Sequence, residues 1–338
     1  MAGSPELSRV AAANRLTKRG RHTPQVWGSR DMSTARSREL GARMREARQM
    51  FGWTGRRLAE AIGWSQAKAS RLETGNRPAE LADVAYVLGF CQMPQRQRDA
   101  VLELLIDEPE GYWVRPHRGA LPEAVPSVVF QQDAAKTITC FDPCGIPPML
   151  QTAEYAEAEL LPRFDSSAEA MAAVRDRLGR HSLLHWANGP VGTFYLHESA
   201  LRAMPVEPEV RAGQLLVLLM LIGRDVSIRV VPADREHGRW AVGAFQVLGF
   251  GEFPAVVCVP TQTATLLLEQ PDDVAEYRRV LAELDAVALS QADSTVLIQV
   301  LADEAQEAAP VVGATEDEDE LEALIEAHEA RKHMRDAG

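Results

Sequence analysis

Between Thr54 and Glu73 the chain reads TGRRLAEAIGWSQAKASRLE, and its polar side chains are of types that pair with the edges of nucleic-acid bases. The Gln66 amide can donate and accept at once, the bidentate match to adenine, while the Arg71 guanidinium matches N7 and O6 of guanine. Gln66 and Ser70, like Ala67 and Arg71, stand four residues apart and therefore share one side of a helix. Lys68, Arg77, Arg43 and the Thr54 hydroxyl suit phosphate oxygens, which position a protein on a duplex without reading its sequence.

Such a surface needs a frame of short helices. Leu40, Met44, Ala47 and Phe51 recur at one helical face, and Gly52 stops that helix. Thr54 caps a second helix, whose Leu58, Ala59 and Ile62 face inward before Gly63 supplies the positive φ of a tight turn. Ser65 caps a third helix running to about Thr74, ended by Gly75-Asn76-Arg77-Pro78. Leu58, Ile62, Ala69 and Leu72 form the shared apolar side, with Ala59 small enough for the helices to cross closely. The third helix then has a free polar side that fits the ~12 Å major groove of DNA, its N-terminal residues foremost. Two more amphipathic helices are expected over Ala79–Leu88 and Gln95–Ile106.

Charge distribution agrees with that chemistry. The 338 residues carry a net charge of −12, yet residues 1–78 hold 16 Lys and Arg against 6 Asp and Glu, a balance of +10. The remainder is at −22, so a basic head precedes an acidic body. The longest apolar run, Leu215–Ile222, is far short of the ~20 residues of a spanning helix, and no secretory h-region opens the chain. Four sparse cysteines suit reduced thiols, so a cytoplasmic protein on the nucleoid is expected.

The conjunction of L-A-x-x-I-G, a serine two residues later, S-R-x-E and T-G-N-R-P resembles the XRE-type, lambda-repressor-like helix-turn-helix domain over about Ser37–Leu88. Gly55, where a polar residue is common, and Ala69, in place of a larger β-branched one, depart from that pattern. Further on, Pro147-Pro148-Met149-Leu150-Gln151-Thr152-Ala153-Glu154-Tyr155-Ala156 is similar to the P-G-L-L-Q-T-x-x-Y-A signature of the DUF5753, antitoxin-like regulators of actinobacteria. Leu196–Arg202, Gln214-Leu215, Val226–Pro232, Phe245–Leu248 and Ala286–Ser290 with Ser294 follow in the family's order. Pro148 replaces its usual glycine, and Val259-Pro260 stands near an expected aromatic–glutamate pair.

The expected architecture is multidomain. A basic extension (1–35) precedes an all-α helix-turn-helix domain (36–106) and a linker (107–135) with exposed Tyr112 and Trp113. An α+β domain with a small sheet and flanking helices (136–305) follows, then an acidic tail (306–338). In that α+β domain Ala168–Trp186, Val210–Ile222, Asp273–Leu289 and Asp293–Ala302 read as helices. Val226–Val231, a hairpin of Ala244–Phe250 with Ala255–Val259, and Thr265–Leu268 read as strands. Residues 1–31 are either an extension upstream of a start at Met32 or a basic arm using Arg15, Lys18, Arg19 and Arg21. The run Glu316–Glu320 is a solvated tail or a phosphate mimic that competes for the head.

The resemblance implies a transcriptional regulator, repressor or antitoxin-like, binding double-stranded DNA as a homodimer and paired with a small DUF397-type protein. The alternative is a one-component sensor whose second domain binds a small-molecule effector. No enzyme, cofactor or metal is expected. Cys140-x-x-x-Cys144 lacks a second ligand pair, and His181 and His185 lack the glutamate of a metalloprotease helix. His197-Glu198 lacks a nucleophile, and Gly249 and Gly251 belong to the hairpin. Leu215–Ile222 reads as a helix buried against the sheet, with a ligand cavity beside it as the sharper alternative.

Overall fold

A computed structural model describes residues 33–76, 79–105, 111–185, 189–223, 225–234 and 243–309, apart from the side chains of residues 181, 182 and 185. The head is built of α1 (Ala35–Met50), α2 (Gly55–Ala61), α3 (Gln66–Glu73), α4 (Leu81–Phe90) and α5 (Gln95–Leu102), the last followed by a 3₁₀ turn, Glu103–Leu105. Thr34 and Ser37 cap α1 reciprocally, and Gly52, Gly63 and Gly75 hold φ of +76°, +72° and +69° where the chain turns. Leu40, Met44 and Ala47 of α1 are buried with Leu58, Ile62, Ala69 and Leu72. Phe51 lies past the helix end, in an aromatic cluster with Trp53 and Phe90. The fourth helix starts two residues later than its apolar pattern suggested, because Glu80 is extended and serves as its N-cap.

Glu73 ends α3 on its buried side. Arg48 of α1 grips that carboxylate with two hydrogen bonds, at 2.7 and 2.9 Å, and also donates to the Trp53 carbonyl. At Gly41 a Cβ would stand 2.5 Å from the Leu72 carbonyl oxygen, and at Gly75 one would stand 2.6 Å from the Arg38 nitrogen. Thus α1 lies backbone against backbone on the end of α3, and side chains at those two positions would push the helices apart.

The body is a seven-stranded mixed sheet in the order β1-β7-β6-β5-β2-β3-β4. Its strands are β1 (Tyr112–Pro116), β2 (Thr137–Asp142), β3 (Val191–His197), β4 (Val226–Val231), β5 (Phe245–Gly249), β6 (Val256–Pro260) and β7 (Ala264–Leu268). Only β2, β3 and β4 run parallel. Its helices are α6 (Pro126–Ala134), α7 (Ala153–Leu160), α8 (Ser167–His181), α9 (Glu198–Arg202), α10 (Pro208–Leu221), α11 (Pro271–Val287) and α12 (Gln291–Ala308). Proline at the first position of α6, α10 and α11 presets φ where no N–H is needed.

Alternation along the strands divides the core in two. Ile138, Cys140, Phe194, Leu196, Ile228 and Val230 face α10 and α12, whereas Phe141, Tyr195, Val231, Phe245 and Val257 face α11. On the outer edge of β4 both backbone groups of Val230 are engaged: the Leu289 N–H donates to its carbonyl at 2.8 Å, and Ser294 Oγ accepts from its N–H at 3.0 Å. Gln214 clamps the backbone on either side of Gln151, for Thr152 N–H donates to Gln214 Oε1 and Gln214 Nε2 donates to the Leu150 carbonyl, both at 2.8 Å.

Two expectations are corrected. The supposed linker 107–135 is structured over residues 111–134: β1 pairs antiparallel with β7, and α6 follows, with Trp113 buried rather than exposed. The sheet is therefore larger than foreseen, by β1, β2 and β3. The proline- and glycine-rich flanks hid a strand whose partner lies some 150 residues on. No helix among the described residues is long and apolar enough to cross a membrane. Residues 1–32 of the basic extension and the acidic run Glu316–Glu320 lie outside the described residues, while Thr34 and Ala35 already cap and begin α1.

Head and body meet at the first turns of α1. The Ala35 N–H donates to Glu269 Oε2 at 2.7 Å, Gln131 Nε2 of α6 donates to the Ala35 carbonyl at 3.2 Å, and the Arg38 guanidinium lies 4.4 Å from the Phe253 ring centre. Glu39 is almost wholly buried there, facing Ser127 of α6 and Arg115 of β1, with Arg43 at 3.9 Å on its own helix and Glu46 nearby. Burial pushes its carboxyl above the ordinary range. A raised acid means that the folded chain holds its proton longer than the unfolded chain, so stability falls as pH rises through the interval between the two values. Glu39→Gln is therefore expected to raise the melting temperature near neutrality, with the gain vanishing in acid; a pH series of thermal melts checks this. Arg48→Ala removes both close hydrogen bonds from the buried Glu73 carboxylate, leaving it only Arg45 at 3.7 Å, and should cost up to ~3–5 kcal/mol, read from a denaturant midpoint.

Candidate nucleic-acid interface

Ser65 starts α3 by accepting the Lys68 N–H at 3.2 Å, an N-cap that fixes the rotation of the helix. With Ala69, Leu72 and Glu73 turned inward, Gln66, Ala67, Ser70 and Arg71 are left exposed on one contiguous face, with Ser65 beside them. The Gln66 amide makes no hydrogen bond within the described structure. Arg71 Nε donates to the Ala67 carbonyl one turn back at 3.2 Å, which leaves the two outer guanidinium nitrogens for another acceptor. Thr54 is exposed and accepts the Arg57 N–H at 3.2 Å as the cap of α2, so its hydroxyl hydrogen is still available to a phosphate.

The other two phosphate-type residues within the described structure are engaged. Lys68 Nζ lies 2.8 Å from Asp83 Oδ1 of α4 and 3.9 Å from the Trp64 ring centre. Arg43 sits on α1, paired with Glu46 at 3.1 Å and Glu39 at 3.9 Å. Arg77 lies outside the described residues. One cation was not singled out from sequence: Arg57, exposed on α2, stacks 4.5 Å from the Trp53 ring centre, and no carboxylate among the described residues pairs with it. The signal was present in the Trp53-x-x-x-Arg57 spacing, which lays a guanidinium over an aromatic ring.

The body holds a second concave feature. A cavity of about 350 Å³ opens at the carboxyl end of β2, and it touches none of Leu215–Ile222, the run beside which a cavity had been considered. That run is instead a half-buried helix whose Leu215 and Leu218 are fully covered. Inside the cavity wall Arg177 donates to Glu123 at 2.7 Å and to Gln151 and Glu159 at 2.9 Å.

The constellations that could have done chemistry are otherwise occupied. Cys140 is buried and its thiol is pushed well up by burial, Cys144 is exposed, and no metal-holding group of His, Cys, Asp and Glu occurs among the described residues. Glu198 accepts from the Ala233 N–H and pairs with Arg202, and His197 caps α9. The side chains of His181 and His185 lie outside the description.

A family model described as a domain of unknown function (DUF5753) matches residues 127–300, just over half of the chain. A second model, a helix-turn-helix domain, matches residues 39–101. No curated protein matches the chain. Among solved structures, one of TrmBL2, described as an archaeal chromatin protein with a novel mode of DNA binding, aligns with 15% identity. That alignment covers 74% of this chain and 92% of the other at a TM-score of 0.26, too slight a likeness to carry an argument.

The Lys68–Asp83 pair sets a measurable expectation. Asp83→Asn frees the ammonium, and binding of any duplex should then tighten, with the dependence of affinity on salt steeper by about one unit. Titrations of a fluorescent duplex at several salt concentrations measure that slope.

Proposed function

Since this chain belongs to the DUF5753 family and carries a helix-turn-helix head before that domain, we propose that it is a sequence-specific DNA-binding regulator of transcription. The observation that carries the reading is the capped α3 with Gln66, Ala67, Ser70 and Arg71 exposed on one side and its whole apolar side used in packing. A rigid short helix of this kind enters a major groove N-terminus first, and Gln66 and Arg71 supply the two bidentate base contacts. Ser65 and Thr54, with Lys68 once released from Asp83, would hold the backbone, with Arg77 and Arg43 as further phosphate contacts. A reading helix of two turns covers few base pairs, so the protein acts as a homodimer on a two-fold site.

The regulator is of the repressor or antitoxin-like kind, is not an enzyme, works on the nucleoid in the cytoplasm and takes a small DUF397-type protein as partner. Co-purification from the native host tests that last pairing. A second reading, favoured by the cavity beside β2, is a one-component sensor in which an effector bound by the body changes the grip of the head.

Selection of bound sequences from a random duplex pool, followed by Arg71→Ala, tests the main reading. The variant should lose ~1–3 kcal/mol at the preferred site and relax its choice at one base position. An equal loss on every sequence would remove Arg71 from base reading.

A further inference from the structure

The cavity lies where the sheet changes from the parallel β2–β3 pairing to the antiparallel β2–β5 pairing, the kind of crevice in which open sheets hold ligands. Its volume suits a small organic molecule. Three carboxylates line it, and two of them are answered by cations. Glu123 has Arg177, and Glu159 has Arg177 together with Arg163 at 2.7 Å. Asp142 is not so answered. Its Oδ1 accepts the backbone N–H groups of Cys144 and Gly145 at 2.9 and 3.0 Å, and no cation among the described residues pairs with it. Burial, with the Glu159 charge adding to it, raises this carboxyl from its ordinary range despite those two bonds, the behaviour of a charge short of a counter-ion. Tyr155 lines the same space and supplies an aromatic surface that attracts a cation.

Resting on the sensor reading, we propose that this cavity binds a small organic cation, an amine on an apolar or aromatic body whose ammonium pairs with Asp142, and that its occupancy reaches the head through α6. The route is short. Val128 of α6 lines the cavity, while Ser127 and Gln131 of the same helix meet α1, Gln131 by its bond to the Ala35 carbonyl. Gln132 of α6 donates to Gln246 Oε1 at 2.9 Å, and Gln246 is itself a lining residue. A guest that prefers one seating of α6 over another shifts the first turn of α1, and by no more than that preference. Because α1 also carries the Arg48 that holds α3, the displacement acts on the helix that reads DNA.

Calorimetry on the full chain with phenethylamine, tryptamine and spermidine tests the site, with phenylacetate and 2-phenylethanol as anionic and neutral counterparts. The chain should bind at least one amine, with the counterparts about tenfold or more weaker. Asp142→Asn should weaken the amine by a similar factor without altering the affinity of the unliganded chain for its selected duplex. Val128→Trp, which fills the cavity, should abolish amine binding altogether. Absence of binding by all three amines, equal binding of charged and uncharged counterparts, or amine binding undiminished in both variants overturns the site. An amine that binds yet leaves duplex affinity unchanged overturns the route through α6. Failure of the unliganded chain to bind any duplex counts against the regulator reading alone, since the calorimetric result does not depend on it.

Discussion

Glu73 places a carboxylate at the end of α3 on the side that faces the interior, and an uncompensated charge there would cost several kcal/mol. The Arg48 fork returns both hydrogen bonds and charge from α1, and in doing so fixes the distance and rotation of α3 relative to the longest helix of the head. Gly41 and Gly75 allow the approach that this pairing requires. The outward presentation of Gln66 and Arg71 is thus a consequence of an inward ionic contact. A loss at Arg48 would disturb that presentation without touching any residue of the exposed face.

The same helix is the hinge of the whole arrangement. Its C-terminal half carries Arg45 and Arg48 toward α3, and its first turns carry Ala35, Arg38 and Glu39 toward Glu269, Phe253 and α6. The contact with the body is polar and sparing. Among the described residues no hydrogen-bond partner meets Arg38 Nη2 or Gln131 Oε1, both buried there. Unpaired groups of this kind weaken a junction relative to an apolar one of equal size.

The head was legible in the sequence because its determinants are local. Caps at Thr54 and Ser65, turns at Gly52, Gly63 and Gly75, and the inward stripe from Leu58 to Leu72 all act within a few residues of themselves. What escaped were relations across distance. Lys68 looked like a free cation because Asp83 lies a helix away, and the burial of Glu39 left no local signal because Ser127 and Arg115 lie far along the chain. In the body, β4 through β7 declared themselves by β-branched runs and one turn, whereas β1, β2 and β3 take their partners from remote segments. The cavity was invisible for the same reason: Glu123, Asp142, Arg177 and Gln246 are brought together only by the folded sheet and its helices.

The engagement of Val230 by Leu289 and Ser294 has a further effect. An edge strand with the amide and carbonyl of one central residue already taken is a poorer template for a strand from another molecule. At the opposite border β1 is five residues long and ends in Pro116, a residue without the donor that a ladder needs. Neither border therefore offers a long uninterrupted ladder to a strand from a second copy.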